Sequence, residues 1–187
     1  MDSIGLRRNR PDERIHFFNR ARTAAERSTC LRRKIGAVII SHDGVELSSG
    51  YVGSPRKTPH CIEIGECIRM ELGINPGENY ELCRSVHAEQ NAIINAARVG
   101  ISILEGQMYI YSERIKGAYN TKGKRNDRIY GPCTICKKMI INSGLTVVHM
   151  KEEGVGDRTF TIEDIKRILV EEEEEWRKKK NLSVKND

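Results

Sequence analysis

The chain has 187 residues, 38% hydrophobic and 31% charged, with a net charge of +6, a balance that predicts one globular domain and excludes a chain too polar to build a core. No apolar run approaches the roughly 18 to 20 residues needed to span a bilayer, and Arg7, Arg8 and Arg10 precede no apolar signal-peptide stretch, so a cytoplasmic location is expected. There, six cysteines favour metal ligands or inert thiols over disulfides, while the positive charge suits either nucleic acid or a phosphorylated small substrate.

Residues 1–10 read as a flexible N-terminal arm, residues 11–170 as a single domain, and residues 171–187 as a charged helix end and tail. Pro11, Asp12 and Glu13 start a helix in which Ile15, Phe18, Ala21 and Ala25 recur at helical spacing up to about Arg27. Lys34 to Ile40 and Val45 to Tyr51, joined through His42-Asp43-Gly44, predict a β-hairpin. The stretch from Gly53 to Arg84 is irregular and carries Cys61, Cys67 and Cys83, with Cys30 arriving from just before the first strand. A loop this long needs an internal tie, for which a metal is one candidate and packed, reduced thiols are the alternative.

A helix follows His87, with Ala88, Ile93, Ile94 and Ala97 as its apolar residues and Gly100 as its stop. Gln107 to Tyr111 reads as a strand. Residues 112–131 form a basic insertion with Arg114, Lys116, Lys122, Lys124, Arg125 and Arg128 around Tyr119 and Tyr130. It reads as a lid over a phosphate-bearing substrate, a nucleic-acid contact, or a solvated loop. A second helix follows Cys133, with Ile135, Met139 and Ile140 apolar and Gly144 as its stop, then a strand from Leu145 to Val148. Thr161 to Asp164 resembles a capping box opening a last helix through Ile165, Ile168 and Leu169. The opposed runs Glu171 to Glu175 and Arg177 to Lys180 suit a solvated helix end, with a disordered tail from Asn181. This order of elements gives an α/β chain, three α/β/α layers around a mixed sheet.

Two motifs carry the chemistry: His87-Ala88-Glu89 and Pro132-Cys133-Thr134-Ile135-Cys136. One imidazole and two thiolates give Zn²⁺ three protein ligands and leave its fourth position open to water, as in catalytic sites. Such an ion makes hydroxide available near neutral pH, and Glu89 is then placed to carry protons. Cys133 and Cys136, three apart, share a helix face. His87 and Glu89, two apart, would point away from each other on a regular helix, so both motifs are expected to open helices, where the first turn lets them face one cavity.

Together H-A-E and P-C-x-x-C match the zinc-deaminase signature. With Gly36-Ala-Val-Ile39 and Gly50-Tyr-Val-Gly-Ser-Pro55, the chain resembles the cytidine and deoxycytidylate deaminases, most closely the deoxycytidylate branch, over roughly residues 12 to 150. The resemblance implies the cytidine-deaminase fold and zinc-dependent hydrolytic deamination of a cytosine nucleotide, with dCMP to dUMP and release of ammonia as the first choice. It implies zinc on His87, Cys133 and Cys136, Glu89 as the proton carrier, the backbone of Ala88 against the base, and the Gly50 to Ser54 loop, with Tyr51, Val52 and Ser54, against the sugar. Arg56, Lys57, Arg69 and Arg84 are candidates for phosphate. The family commonly has Asn where this chain has Val52, which can make no such hydrogen bond to a sugar hydroxyl. The resemblance also places Cys30 and Cys61 where some deoxycytidylate deaminases hold a second, structural zinc, with Cys67 and Cys83 completing the set and His60 as a substitute. A homo-oligomer, often a hexamer in that branch, is implied as well. Deamination of another amino-substituted ring, editing of a base in RNA or DNA, and a non-catalytic zinc-stabilised binding protein remain the alternatives.

Overall fold

The computed structural model describes residues 10–74, 78–115 and 131–179. The expectations for residues 1–9, for 116–130 of the basic insertion and for the tail from 180 lie outside the described residues. Helix α1 (Glu13–Ala25) opens on Asp12, whose carboxylate accepts from the backbone N–H of Arg14 at 2.8 Å. Its core face is Phe17, Phe18, Ala21 and Ala25. Ile15, expected inside, is exposed, and Phe17 takes its place.

The hairpin forms as β1 (Arg33–Ile40) and β2 (Glu46–Tyr51), antiparallel, with a bulge between Ile39 and Ile40. Five consecutive β1 residues, Gly36 to Ile40, are buried, because helices cover both faces of this strand. Alternation then sorts its side chains. Val38 and Ile40 join Phe17, Phe18, Tyr109 and Tyr111 under α1, while Ala37 and Ile39 join the larger core on the other side. Gly36 lets α1 sit directly on the strand, since a Cβ there would lie 2.1 Å from the carbonyl oxygen of Ala21.

Short helices α2 (Cys61–Ile64) and α3 (Ile68–Glu71) and a 3₁₀ turn (Tyr80–Leu82) occupy the irregular stretch. Then follow α4 (Ala88–Arg98), β3 (Gln107–Arg114), α5 (Thr134–Asn142), β4 (Val147–Glu152), β5 (Gly156–Thr161) and α6 (Ile162–Lys179). The strand β5 was not anticipated from the sequence, and Ser112 to Arg114 belong to β3 rather than to an insertion. The sheet order is β2-β1-β3-β4-β5, with only β3 and β4 parallel, so the sheet is mixed. Helices α4, α5 and α6 cover the face opposite α1, around Met108, Ile110, Ile140, Val148, Phe160 and Ile165. Ala92 and Ala96 form the inner face of α4, while Ile94 and Ala97 point outward; on α5, Ile140 is buried and Ile135 exposed. The capping box at Thr161 and Asp164 is formed, with Asp164 N–H donating to Thr161 Oγ1 at 3.1 Å. Among the described residues no helix is long and apolar enough to cross a membrane.

Candidate metal centre and active site

Both motifs open helices. His87 is the N-cap of α4 (φ −70°, ψ 157°) and Cys133 the N-cap of α5 (φ −66°, ψ 163°), so each ligand residue is extended while its neighbours are helical. Gln90 accepts from the backbone N–H of His87 at 2.9 Å and fixes that turn. Helix α4 is tied to β2 by Asn91 Nδ2 donating to the Tyr51 carbonyl at 2.8 Å and Ser48 Oγ donating to the Ala92 carbonyl at 2.7 Å. Gly100 (φ 71°) and Gly144 (φ 75°) follow the two helix ends, as expected.

The Sγ atoms of Cys133 and Cys136 each lie 3.3 Å from His87 Nδ1, and the three donor atoms fall within 4.8 Å of one another. Zinc bonded at ordinary lengths to nitrogen and sulfur would space these atoms about 3.6 Å apart. The donor set and its spacing therefore fit the ion with little movement.

The electrostatics sort the acids of the site. The Cys133 thiol is lowered to about 4, first by hydrogen bonding with Cys136 and, against burial, by the His87 imidazole. Cys136 is pushed the other way by the same hydrogen bond and by burial, so the pair gives up its first proton easily and holds the second. Burial works against a charged His87, but hydrogen bonding to Cys133 and the nearby Glu89 outweigh it and raise the imidazole. Glu89, in the first turn of α4, is buried and hydrogen-bonded with Cys136. Burial raises its carboxyl above the usual carboxylate range, against the opposing pull of His87.

One wall of the site was not foreseen. Tyr80 meets His87 edge to face, with centroids 5.1 Å apart, and the Arg69 guanidinium lies 4.8 Å over the Tyr80 ring. Arg69 also donates to the Glu78 carbonyl at 2.6 Å. The Tyr80 hydroxyl is raised to about 12, by burial first and then by Cys133. Nothing in a lone tyrosine inside an irregular stretch announces this contact. Gln90 was readable, as the residue three beyond the N-cap.

The other expected residues divide. Ala88 is fully buried at the base of the site. Gly53 pairs with Val86, which sets Ser54 opposite Ser85 just before His87. Ser54 Oγ, Ser85 Oγ and Arg84 Nη1 are buried with no hydrogen-bond partner among the described residues. The Tyr51 carbonyl is engaged by Asn91. Val52 is buried, its backbone bonded to Ile35 and Thr29 at 3.0 Å each. Arg56 is held by Asn95 at 2.5 Å, six residues and about 9 Å along α4 from Glu89. Among the described residues, no three of Cys30, Cys61, Cys67 and Cys83 bring their sulfurs within 4.8 Å of one another. Cys83 and Cys61 are close enough to Cys30 to add to the burial that raises its thiol, whereas Cys67 caps α3. His60 pairs instead with Thr29 Oγ1 at 3.2 Å.

A mixed sheet sandwiched between helices brings one imidazole and two thiols together beside a buried carboxyl, a donor set that fits a single zinc ion. The description "Cytidine and deoxycytidylate deaminase zinc-binding region" matches residues 11–151, and the chain belongs to that family. It is 35% identical over 97 residues to the deoxycytidylate deaminase of Schizosaccharomyces pombe, covering 52% of this chain but only 30% of that protein. It is 31% identical over 150 residues to the deoxycytidylate deaminase of Mycobacterium phage D29, covering 77% of this chain and 98% of the phage protein. The dCMP deaminase of cyanophage S-TIM5, solved in complex with dCMP and dUMP, superposes with a TM-score of 0.56 at 23% identity over 87% of this chain and 93% of its own, a likeness of fold.

Proposed function

We propose that this chain deaminates a cytosine nucleotide hydrolytically, with dCMP as substrate and dUMP and ammonia as products. The observation that carries the reading is the placement of Glu89, buried and in contact with Cys136, beside the three convergent donors. The phage D29 relative, matched over nearly its whole length, supports the choice of dCMP.

His87, Cys133 and Cys136 would hold zinc, which when bound supplies Lewis acidity and lowers the pKa of water at its open position towards neutrality. Glu89 takes a proton from the attacking water as its oxygen bonds to C4 of the ring, and passes that proton to N3. It then collects the remaining hydroxyl proton and delivers it to the C4 amino group, so that the C–N bond breaks with loss of ammonia and the carbonyl of the uracil ring remains. A carboxyl raised by burial suits both directions of transfer, since it takes up a proton more readily than an exposed carboxylate and can still return it. Tyr80 packs edge to face on the His87 ring, and Ser54 and Arg84, whose buried polar atoms have no partner among the described residues, are the groups assigned to the sugar and phosphate. A homo-oligomer in the cytoplasm completes the reading, its assembly tested by light scattering.

The test is ammonia release from dCMP, CMP, dCTP and cytidine by the zinc-loaded chain. Glu89→Gln should retain zinc and lose about 10²–10⁴-fold in kcat. Undiminished turnover in that variant, or no ammonia from any of the four compounds, overturns the proposal.

A further inference from the structure

The C-terminal helix reaches back to the turn that carries both cysteines. Glu172 of α6 accepts through Oε2 from the Thr134 hydroxyl at 2.9 Å, and its Oε1 pairs with the Lys137 ammonium. Thr134 follows Cys133 and Lys137 follows Cys136, so one carboxylate grips the chain immediately after each sulfur. Lys137 is only 1% exposed, and a buried ammonium must be paired to be tolerated. Ion pairs elsewhere on α6, such as Arg177 with Glu173 at 2.8 Å, stay within the helix and in solvent; the half-exposed Glu172 reaches across to α5 instead, out of an acidic run in which the sequence gives it no distinction.

The first turn of a helix is its least constrained part, because its N–H groups lack intrahelical partners. Cys133 is the N-cap of α5 and makes no cap hydrogen bond with its own side chain, and Cys136 lies in the first turn. We propose that Glu172 is a positioning residue for the metal ligands: by holding Thr134 and Lys137 it fixes the orientation of that turn, and so the separation of both sulfurs from His87 Nδ1. This rests on reading His87, Cys133 and Cys136 as one metal site. It assigns to α6 a part in the site from about 36 residues beyond the second cysteine.

The test uses the full chain loaded with zinc, and separately with cobalt, whose thiolate charge-transfer and d–d absorption bands report the ligand geometry. Glu172→Gln removes the charge, and Thr134→Val removes one arm while leaving the Lys137 pair in place. Both variants should release zinc to a chromogenic chelator about tenfold faster or more and should shift the cobalt bands. Thr134→Val should do so while melting close to wild type. If the variants melt lower but release zinc at the wild-type rate with unaltered cobalt spectra, Glu172 only stabilises the fold and the proposal fails. Should Glu172→Gln not fold, Thr134→Val decides the matter by the same two readouts. A wild-type chain that deaminates no cytosine compound, yet whose variants alter zinc release and the cobalt bands, sinks the proposed reaction and leaves this assignment standing.

Discussion

A methyl group added at Gly50 would lie 2.4 Å from the backbone nitrogen of Ala92 and 2.5 Å from the carbonyl oxygen of Ala88. Favourable contact begins at about 3.5 Å, so Gly50→Ala forces α4 and β2 apart by about 1 Å. Both atoms belong to backbone and cannot swing aside, which places the cost in the upper part of the range of about 1–3 kcal/mol for overpacking. At about 2–4 °C per kcal/mol for a chain of this size, Tm should fall by about 4–12 °C. The first turn of α4 carries Ala88 and Glu89 and follows His87, so the same displacement misplaces the proton carrier and one ligand. A misplacement of about 1 Å costs about 10²-fold in rate. Thermal melts of the zinc-loaded chain and ammonia release from dCMP measure the two effects. A Gly50→Ala protein that melts and turns over like wild type would show that β2 does not set the position of the α4 N-terminus.

Three further outcomes are expected. His149 is lowered to about 4, by burial first and then by Arg14, against an ordinary value of about 6.5. The unfolded chain therefore binds the proton more readily, so stabilisation present above pH 6.5 is lost as pH falls towards 4. His149→Gln should flatten Tm against pH across that window; an unchanged slope counts against the reasoning. Buried Glu152 accepts from Arg114 Nε at 2.8 Å and Arg33 Nη2 at 3.5 Å, and Glu152→Ala should cost about 1.5–3 kcal/mol in urea unfolding, with no change as the refuting result. Elemental analysis should give one zinc per chain, because only one set of donors converges among the described residues; two would restore the second set of Cys30, Cys61, Cys67 and Cys83, with His60 as a substitute.

The sequence is most informative where spacing and geometry coincide. His87 with Glu89 two residues on, and Cys133 with Cys136 three on, demanded helix starts, and both residues are N-caps. The hairpin was legible because β-branched residues flank a glycine turn. Inner faces were harder to assign. Alanines rather than isoleucines line α4, since β2 approaches it so closely that only small side chains fit. Strand β5, with the sequence GDRTFT, buries Phe160 alone and sits at the sheet edge, so it carries almost no apolar alternation. Tyr80 and Glu172 were illegible because their partners, His87 and Lys137, come from elements remote in the chain.

The site holds two acids near the starts of two helices, and these are pushed in opposite directions: Cys133 downward and Glu89 upward. Helix dipoles favour the anion in both cases and contribute about 0.3–1 kcal/mol each, less than the 1.36 kcal/mol equivalent to one pKa unit. They cannot therefore produce the divergence. Hydrogen bonding decides for Cys133, which is linked to Cys136 and His87; burial decides for Glu89, which sits deeper in the first turn of α4. When neighbouring acids are driven apart in this way their environments separate their roles: the thiol lowered by its hydrogen bonds is the one suited to a cation, and the carboxyl raised by burial is the one suited to take up a proton and return it.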